Sequence, residues 1–108
     1  MADHPDLSPP MPTRLTALAA RIADHRARVC VMGLGYVGLP LVEALLETGF
    51  PVLGLDVDPR KVRLVQAGDL TTYHVRPEVF RAALAEGRLT VSDRPEVLDR
   101  AAGVVICV

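Results

Sequence analysis

Glycines at positions 33, 35 and 38 punctuate the run Gly33-Leu34-Gly35-Tyr36-Val37-Gly38, where a short apolar stretch gives way to a helical pattern. By itself a glycine triplet of this spacing is a weak signal, but its surroundings give it chemistry. Gly33 would permit a tight turn, Gly35 would let an anion approach the main chain with no Cβ in its way, and Gly38 would let the helix lie close on the strand. The helix that opens there would offer unpaired N–H groups and the positive end of its dipole to a phosphate. An acidic residue, Asp56, follows 18 residues after Gly38 at the end of the next apolar run. A carboxylate at that point can accept hydrogen bonds from ribose hydroxyls and would repel a 2′-phosphate, so the pattern predicts a dinucleotide site that takes NAD rather than NADP. Lys61 lies five residues beyond Asp56 and could reach the rim of that site. Spacing alone leaves it open whether Lys61, like Arg60, is only a solvated helix charge.

The elements that must position these residues can be read along the chain. Residues 1–12, with prolines at 5, 9, 10 and 12, read as a flexible tail. Leu15, Leu18, Ala19, Ile22 and Ala23 recur at helical spacing, which predicts an amphipathic helix over 13–26 with Thr13 as N-cap, in a segment that runs to residue 27. Val29-Cys30-Val31-Met32 has the continuous apolar, β-branched character of a parallel strand covered on both faces. A helix over 37–48 follows, with Leu41, Leu45 and Leu46 on one side, Pro40 in its first turn and Gly49 at its end. The second strand is expected at 52–55 and a helix from Pro59 to a stop at Gly68. Residues 69–76 read as a polar loop without period, 77–86 as helix, 89–92 as the third strand, 95–102 as a short helix and 104–108 as the fourth strand. Strands alternating with helices predict an α/β fold with a parallel sheet in the order 3-2-1-4 and flanking helices, a Rossmann-type arrangement truncated after the fourth strand.

Composition narrows the function. The 108 residues suffice for one domain with a core and are too few for a cofactor domain plus a substrate domain. Lys and Arg number 12 against 13 Asp and Glu, a formal charge of −1, so no global field draws the chain to nucleic acid or an anionic membrane. No basic segment followed by an apolar run marks a secretory signal, and charges interrupt every stretch that could cross a bilayer, so a cytoplasmic protein is expected. Cys30 and Cys107 lack the paired spacing of a zinc site and are expected to be reduced, buried thiols on neighbouring strands. Buried apolar surroundings disfavour a thiolate, so neither is expected to be a nucleophile. His25 and His74 read as surface or loop residues, since nothing pairs either with an orienting carboxylate.

Three stretches carry a resemblance to a known family. The run from Val31 to Pro40, the run Leu55-Asp56-Val57-Asp58-Pro59-Arg60-Lys61-Val62 and the ending Val104-Val105-Ile106-Cys107-Val108 resemble the start of the UDP-glucose/GDP-mannose dehydrogenases, from Arg28 to the C-terminus. Tyr73-His74-Val75 ahead of a helix, with the Ile-Cys-Val ending, is more similar to the UDP-N-acetylglucosamine and UDP-N-acetylmannosamine 6-dehydrogenases. The resemblance implies the NAD-binding part of an enzyme that oxidises a nucleotide sugar's C6 alcohol to a carboxylate with two NAD, through a cysteine-linked thiohemiacetal and thioester. It implies cofactor contacts at Gly33, Leu34, Gly35, Tyr36, Val37, Gly38, Asp56 and Lys61. It also implies a homo-oligomer at full length and no catalytic residue within this chain, the family's nucleophile and acid–base partners falling beyond Val108. Another NAD-dependent hydroxyacyl or hydroxyacid dehydrogenase, or a nucleotide-binding module without catalysis, would share the same opening. The Tyr-Val-Gly-Leu-Pro continuation favours the nucleotide-sugar enzymes.

Overall fold

Four strands, β1 (Val29–Met32), β2 (Val52–Leu55), β3 (Leu89–Ser92) and β4 (Gly103–Ile106), form one parallel sheet in the order β3-β2-β1-β4. This computed structural model describes Ile22 and residues 24–107. Three helices connect the strands: α1 (Gly38–Thr48), α2 (Pro59–Ala67) and α3 (Pro77–Ala85), with short 3₁₀ turns at Thr71–Tyr73 and Pro95–Arg100. The strand order is the one the alternating pattern predicts. Val29 lies beside Val52 on one side and Gly103 on the other, so the central strands run in step and end together at Met32, Leu55 and Ile106. Their carboxyl ends form one edge of the molecule.

The sheet is buried unequally on its two faces. Val31 and Val52 from the central strands, with Leu89 and Val91 of β3, meet Leu39, Val42 and Leu46 of α1, Val62 and Val65 of α2 and Phe80 and Ala83 of α3. The opposite face holds a smaller cluster of Cys30, Leu53 and Leu55, packed by Met32, Val97, Leu98 and Ala101. Alternation along each strand divides the two sets, since successive side chains point to opposite faces. Helices α1 and α2 end on the glycines expected as stops, the Gly49 and Gly68 N–H groups each donating to carbonyls of the last turn. β4 is different, for Val104, Val105 and Ile106 stay 40–65% exposed on a strand hydrogen-bonded along one edge.

Several local expectations are corrected. The tail at 1–12, the N-cap Thr13 and most of the helix expected over 13–26 lie outside the described residues. Ile22 is helical, yet the chain turns at Asp24 and His25, where His25 takes φ +59° and its N–H donates to the Ile22 carbonyl. A left-handed residue ends a helix, so the helix does not extend to Arg26. The helix expected at 95–102 is a 3₁₀ turn closing at Arg100, because the chain must then enter β4, where the Ala102 N–H donates to the Arg28 carbonyl at 2.8 Å. The strand expected at 104–108 runs over Gly103–Ile106, so Cys107 follows it and is half-buried, not the buried strand thiol expected.

The loop expected at 69–76 is the largest departure. Leu70 and Val75 are both buried in the main core, and between them the 3₁₀ turn carries Tyr73 against the same cluster. Glu43 of α1 accepts the Arg76 N–H at 2.6 Å, which caps the start of α3 from a residue 33 positions away. The Arg76 guanidinium also meets Glu43 and Glu47. Phe80, fully buried where α3 meets the sheet, is the largest side chain in this core. Truncating it to alanine is expected to cost about 3–5 kcal/mol in a guanidinium denaturation measurement, and a loss below about 1 kcal/mol would place Phe80 outside the packed core.

Candidate functional site

The turn from β1 into α1 depends on two contacts that only glycines allow. A side chain on Gly33, which sits at φ +102°, would place its Cβ 1.9 Å from the Cys107 carbonyl oxygen. One on Gly38 would place its Cβ 1.7 Å from the Gly33 carbonyl oxygen. Both neighbours are backbone and cannot swing aside. The end of β4, the loop and the first residue of α1 are therefore stacked at main-chain contact distance. Hydrogen bonds from the Gly33 N–H to the Leu55 carbonyl, 2.8 Å, and from the Cys107 N–H to the Met32 carbonyl, 2.7 Å, hold that stack in line with the sheet.

Gly35 is unlike the other two. Among the described residues other than its two chain neighbours, the only atom within 4 Å of a Cβ built there is Lys61 Nζ, at 3.7 Å, so the face of this residue opens outward. Behind it, α1 begins without a side-chain cap: Val37 occupies the N-cap position and no acidic residue lies in the first turn. Tyr36 and Val37 are exposed at the tip of the loop. An open backbone face, an uncapped helix start and an ammonium beside them suit a pyrophosphate in geometry and in charge. Residues Gly35, Tyr36, Val37 and Lys61 could hold the phosphates of a dinucleotide.

Asp56 is tied to this loop directly. One of its carboxylate oxygens accepts the Leu34 N–H at 2.8 Å and the other accepts the Asp58 N–H at 2.9 Å. Leu34 turns its side chain fully into the core, against the space left by Gly54 on β2, so its place in the loop is that of an anchor. Each carboxylate oxygen keeps a second lone pair, so Asp56 can still accept from ribose hydroxyls. Beside it a cleft of about 270 Å³, lined by Met32, Gly33, Asp56, Val57, Ile106 and Cys107, runs between the ends of β1, β2 and β4. Its walls are mostly apolar and its one charged group is Asp56, which fits a flat nucleoside more than a highly charged ligand. The position is the crevice at the carboxyl ends of the strands where parallel sheets of this kind bind ligands.

The two neighbouring cations have separated. Arg60 folds back on Asp58, its Nε and Nη2 donating to the carboxylate at 3.1 and 3.0 Å. These bonds, with the Arg60 N–H, hold the Asp58 carboxyl below its ordinary range, and the pairing holds the Arg60 guanidinium above its own. Lys61 instead extends over Gly35, with Nζ 5.8 Å from the centre of the Tyr73 ring. Tyr73 packs in turn on Tyr36 at a ring separation of 5.0 Å. Sequence reasoning did not single out Tyr73 as a site residue, since it sits in a stretch without period. Cys30 is fully buried and desolvation pushes its thiol upward, so it stays neutral, while His25 and His74 are exposed and neither hydrogen-bonds a carboxylate among the described residues.

Comparison with known proteins agrees with this geometry. Residues 27–108 match the family model described as UDP-glucose/GDP-mannose dehydrogenase family, NAD binding domain. The chain is 35% identical over 82 residues to a UDP-N-acetyl-D-mannosamine dehydrogenase of Methanocaldococcus jannaschii, covering 75% of this chain and 18% of that protein. Among solved structures it is similar to a UDP-glucose dehydrogenase from Pyrobaculum islandicum, with TM-score 0.65, 31% identity, and 78% of this chain against 20% of that one. It is also similar to the UDP-D-ManNAc dehydrogenase from Pyrococcus horikoshii, with TM-score 0.64, 30% identity, and 75% of this chain against 20% of that one. The chain thus spans about a fifth of the length of these relatives.

The three glycines are expected to behave differently when replaced. Gly35→Val should remove NAD binding while the circular dichroism of the sheet is unchanged, whereas Gly38→Ala should unfold or markedly destabilise the chain because its methyl meets backbone. Wild-type NAD affinity in Gly35→Val, measured by calorimetry, would reduce the loop to a turn.

Proposed function

This chain belongs to the UDP-glucose/GDP-mannose dehydrogenase family, as its NAD-binding portion, and on that premise we propose that the protein it comes from oxidises the C6 alcohol of a UDP-sugar to the uronate. The substrate class proposed is a UDP-N-acetylhexosamine, with two NAD consumed per sugar, and the products are of the kind used in polysaccharide synthesis. The observation that carries this reading is the open face of Gly35, with Lys61 Nζ across it, beside Asp56 at the end of β2. Similarity to the UDP-N-acetyl-D-mannosamine dehydrogenases of M. jannaschii and P. horikoshii supports the sugar class. A cytoplasmic location and a homo-oligomer are part of the proposal. Among the described residues no helix is long and apolar enough to cross a membrane.

Bound NAD would supply the hydride acceptor for both oxidation steps. Gly33 to Gly38 with Lys61 would seat its pyrophosphate, and Asp56 would accept from the adenosine ribose. The described residues also bear on what this segment does alone. Cys30 is a neutral, fully buried thiol in the smaller core cluster, which leaves it unfit to attack a carbonyl carbon. Cys107 is half-buried and lines the cleft, and on the family resemblance we place the nucleophile and its acid–base partners outside residues 1–108.

Two measurements test the proposal. NADH absorbance in the protein encoded by the complete reading frame should rise by two equivalents per UDP-N-acetylhexosamine, and residues 1–108 alone should give no sugar-dependent reduction. Turnover by 1–108 that disappears in Cys30→Ser or Cys107→Ser would overthrow it, as would oxidation of only hydroxyacids by the complete protein. Selectivity gives the second measurement. NAD should bind more tightly than NADP by about 1.4 kcal/mol or more, since a 2′-phosphate would face the Asp56 carboxylate. Asp56→Asn should narrow that ratio and weaken both cofactors, because its amide would set an NH₂ against one of the two N–H groups that Asp56 now receives. An unchanged ratio would remove Asp56 from the ribose.

A further inference from the structure

We propose that Tyr73 is a positioning residue for the dinucleotide, its ring holding the Lys61 ammonium across the open face of Gly35 so that the cation is already in place for the pyrophosphate. The inference rests on the cofactor reading of the glycine loop and goes beyond it to a residue outside the loop and the acidic position. A lysine at the start of an exposed helix ordinarily spreads over many rotamers, and its charge is correspondingly diffuse. Here Nζ lies 3.7 Å from the Cβ position of Gly35 and 5.8 Å from the Tyr73 ring centre, within the range of a cation–π attraction.

The ring can do this because the backbone that carries it is anchored before and after it. Leu70 and Val75 bury the chain before and after it, the Tyr73 N–H donates to the Leu70 carbonyl at 3.0 Å, and His74 turns the backbone through φ +58°. Beyond the turn, Glu43 accepts the Arg76 N–H and fixes the segment to α1, the helix that the glycine loop opens. Tyr36, from the loop, closes on the other side of the ring at 5.0 Å. The chemistry of an aromatic partner is also suited to the task. A carboxylate in the same place would neutralise the ammonium and repel the incoming phosphates, whereas a ring face restrains the cation and leaves its charge available. Arg60 cannot substitute, since its guanidinium is engaged by Asp58.

The test is a double-mutant cycle on NAD binding by calorimetry, with ADP as a second probe that keeps the pyrophosphate and adenosine as a third that lacks it. Tyr73→Leu should weaken NAD and ADP about three- to tenfold and leave adenosine unchanged, and Tyr73→Phe should retain wild-type affinity. Lys61→Met should weaken the same two ligands, and the double variant should bind no worse than Lys61→Met alone. Unchanged NAD affinity in Tyr73→Leu, an equal loss for adenosine, or additive losses in the double variant would overturn the role of Tyr73. Circular dichroism of each variant keeps misfolding distinct, and a misfolded Tyr73→Leu paired with a weakened, folded Tyr73→Phe would equally overturn it. If the wild type binds neither NAD nor ADP at millimolar concentration, the cofactor reading falls, and this inference with it.

Discussion

The structure depends on a backbone contact that no side chain may enter. Where β1 passes into α1, the Gly33 α-carbon rests on the Cys107 carbonyl and the Gly38 α-carbon on the Gly33 carbonyl, so three runs of main chain stack at the carboxyl end of the sheet. Everything at the site takes its place from that stack. It brings the start of α1 close enough to the strands for Leu39, Val42 and Leu46 to seal the main core, and it pushes the intervening Gly35 outward, where its backbone is open. Packing and the proposed binding are thus assigned to different members of one triplet. Gly33 and Gly38 answer to the fold, and in the proposed site Gly35 answers to what approaches from outside.

Asp56 links the two demands. With one oxygen on the Leu34 N–H and the other on the Asp58 N–H, it ties the glycine loop to the turn that starts α2, and through α2 to Lys61. The same carboxylate is the one charged group in the apolar cleft between the strand ends. Its stability role and its proposed ligand role therefore share one charge, and no substitution can separate them fully. A half-buried charge is tolerated here because it is hydrogen-bonded twice by backbone and remains partly open to solvent.

How much of this could be read in the sequence follows from the range of the interactions involved. Continuous apolar runs and glycine stops are local signals, and they placed β1, β2, β3, α1 and α2 nearly to the residue, with the strand order following from the alternation of strands and helices. The segment 69–76 escaped because nothing local shapes it. Its buried Leu70 and Val75 flank a 3₁₀ turn and a left-handed His74, so they show neither a helical nor a strand period, and its hold on α1 comes from Glu43, 33 residues back. Tyr73 was invisible as a site residue for the same reason. Cys107 was expected to be buried because its apolar run reads as a strand beside β1, but its carbonyl, not its thiol, turned out to be the group packed at the loop. Lys61 could not be told from Arg60 by spacing, and only the capture of Arg60 by Asp58 distinguishes them.

The central claim is that the carboxyl edge of this sheet seats a dinucleotide with its pyrophosphate over Gly35. A crystal structure of the protein grown with NAD examines it most directly. The account predicts phosphate oxygens on the loop amides of Gly35 to Val37 and within reach of Lys61 Nζ, with the adenosine ribose hydroxyls on Asp56. Dinucleotide density lodged elsewhere, with the face of Gly35 left to solvent, would contradict it.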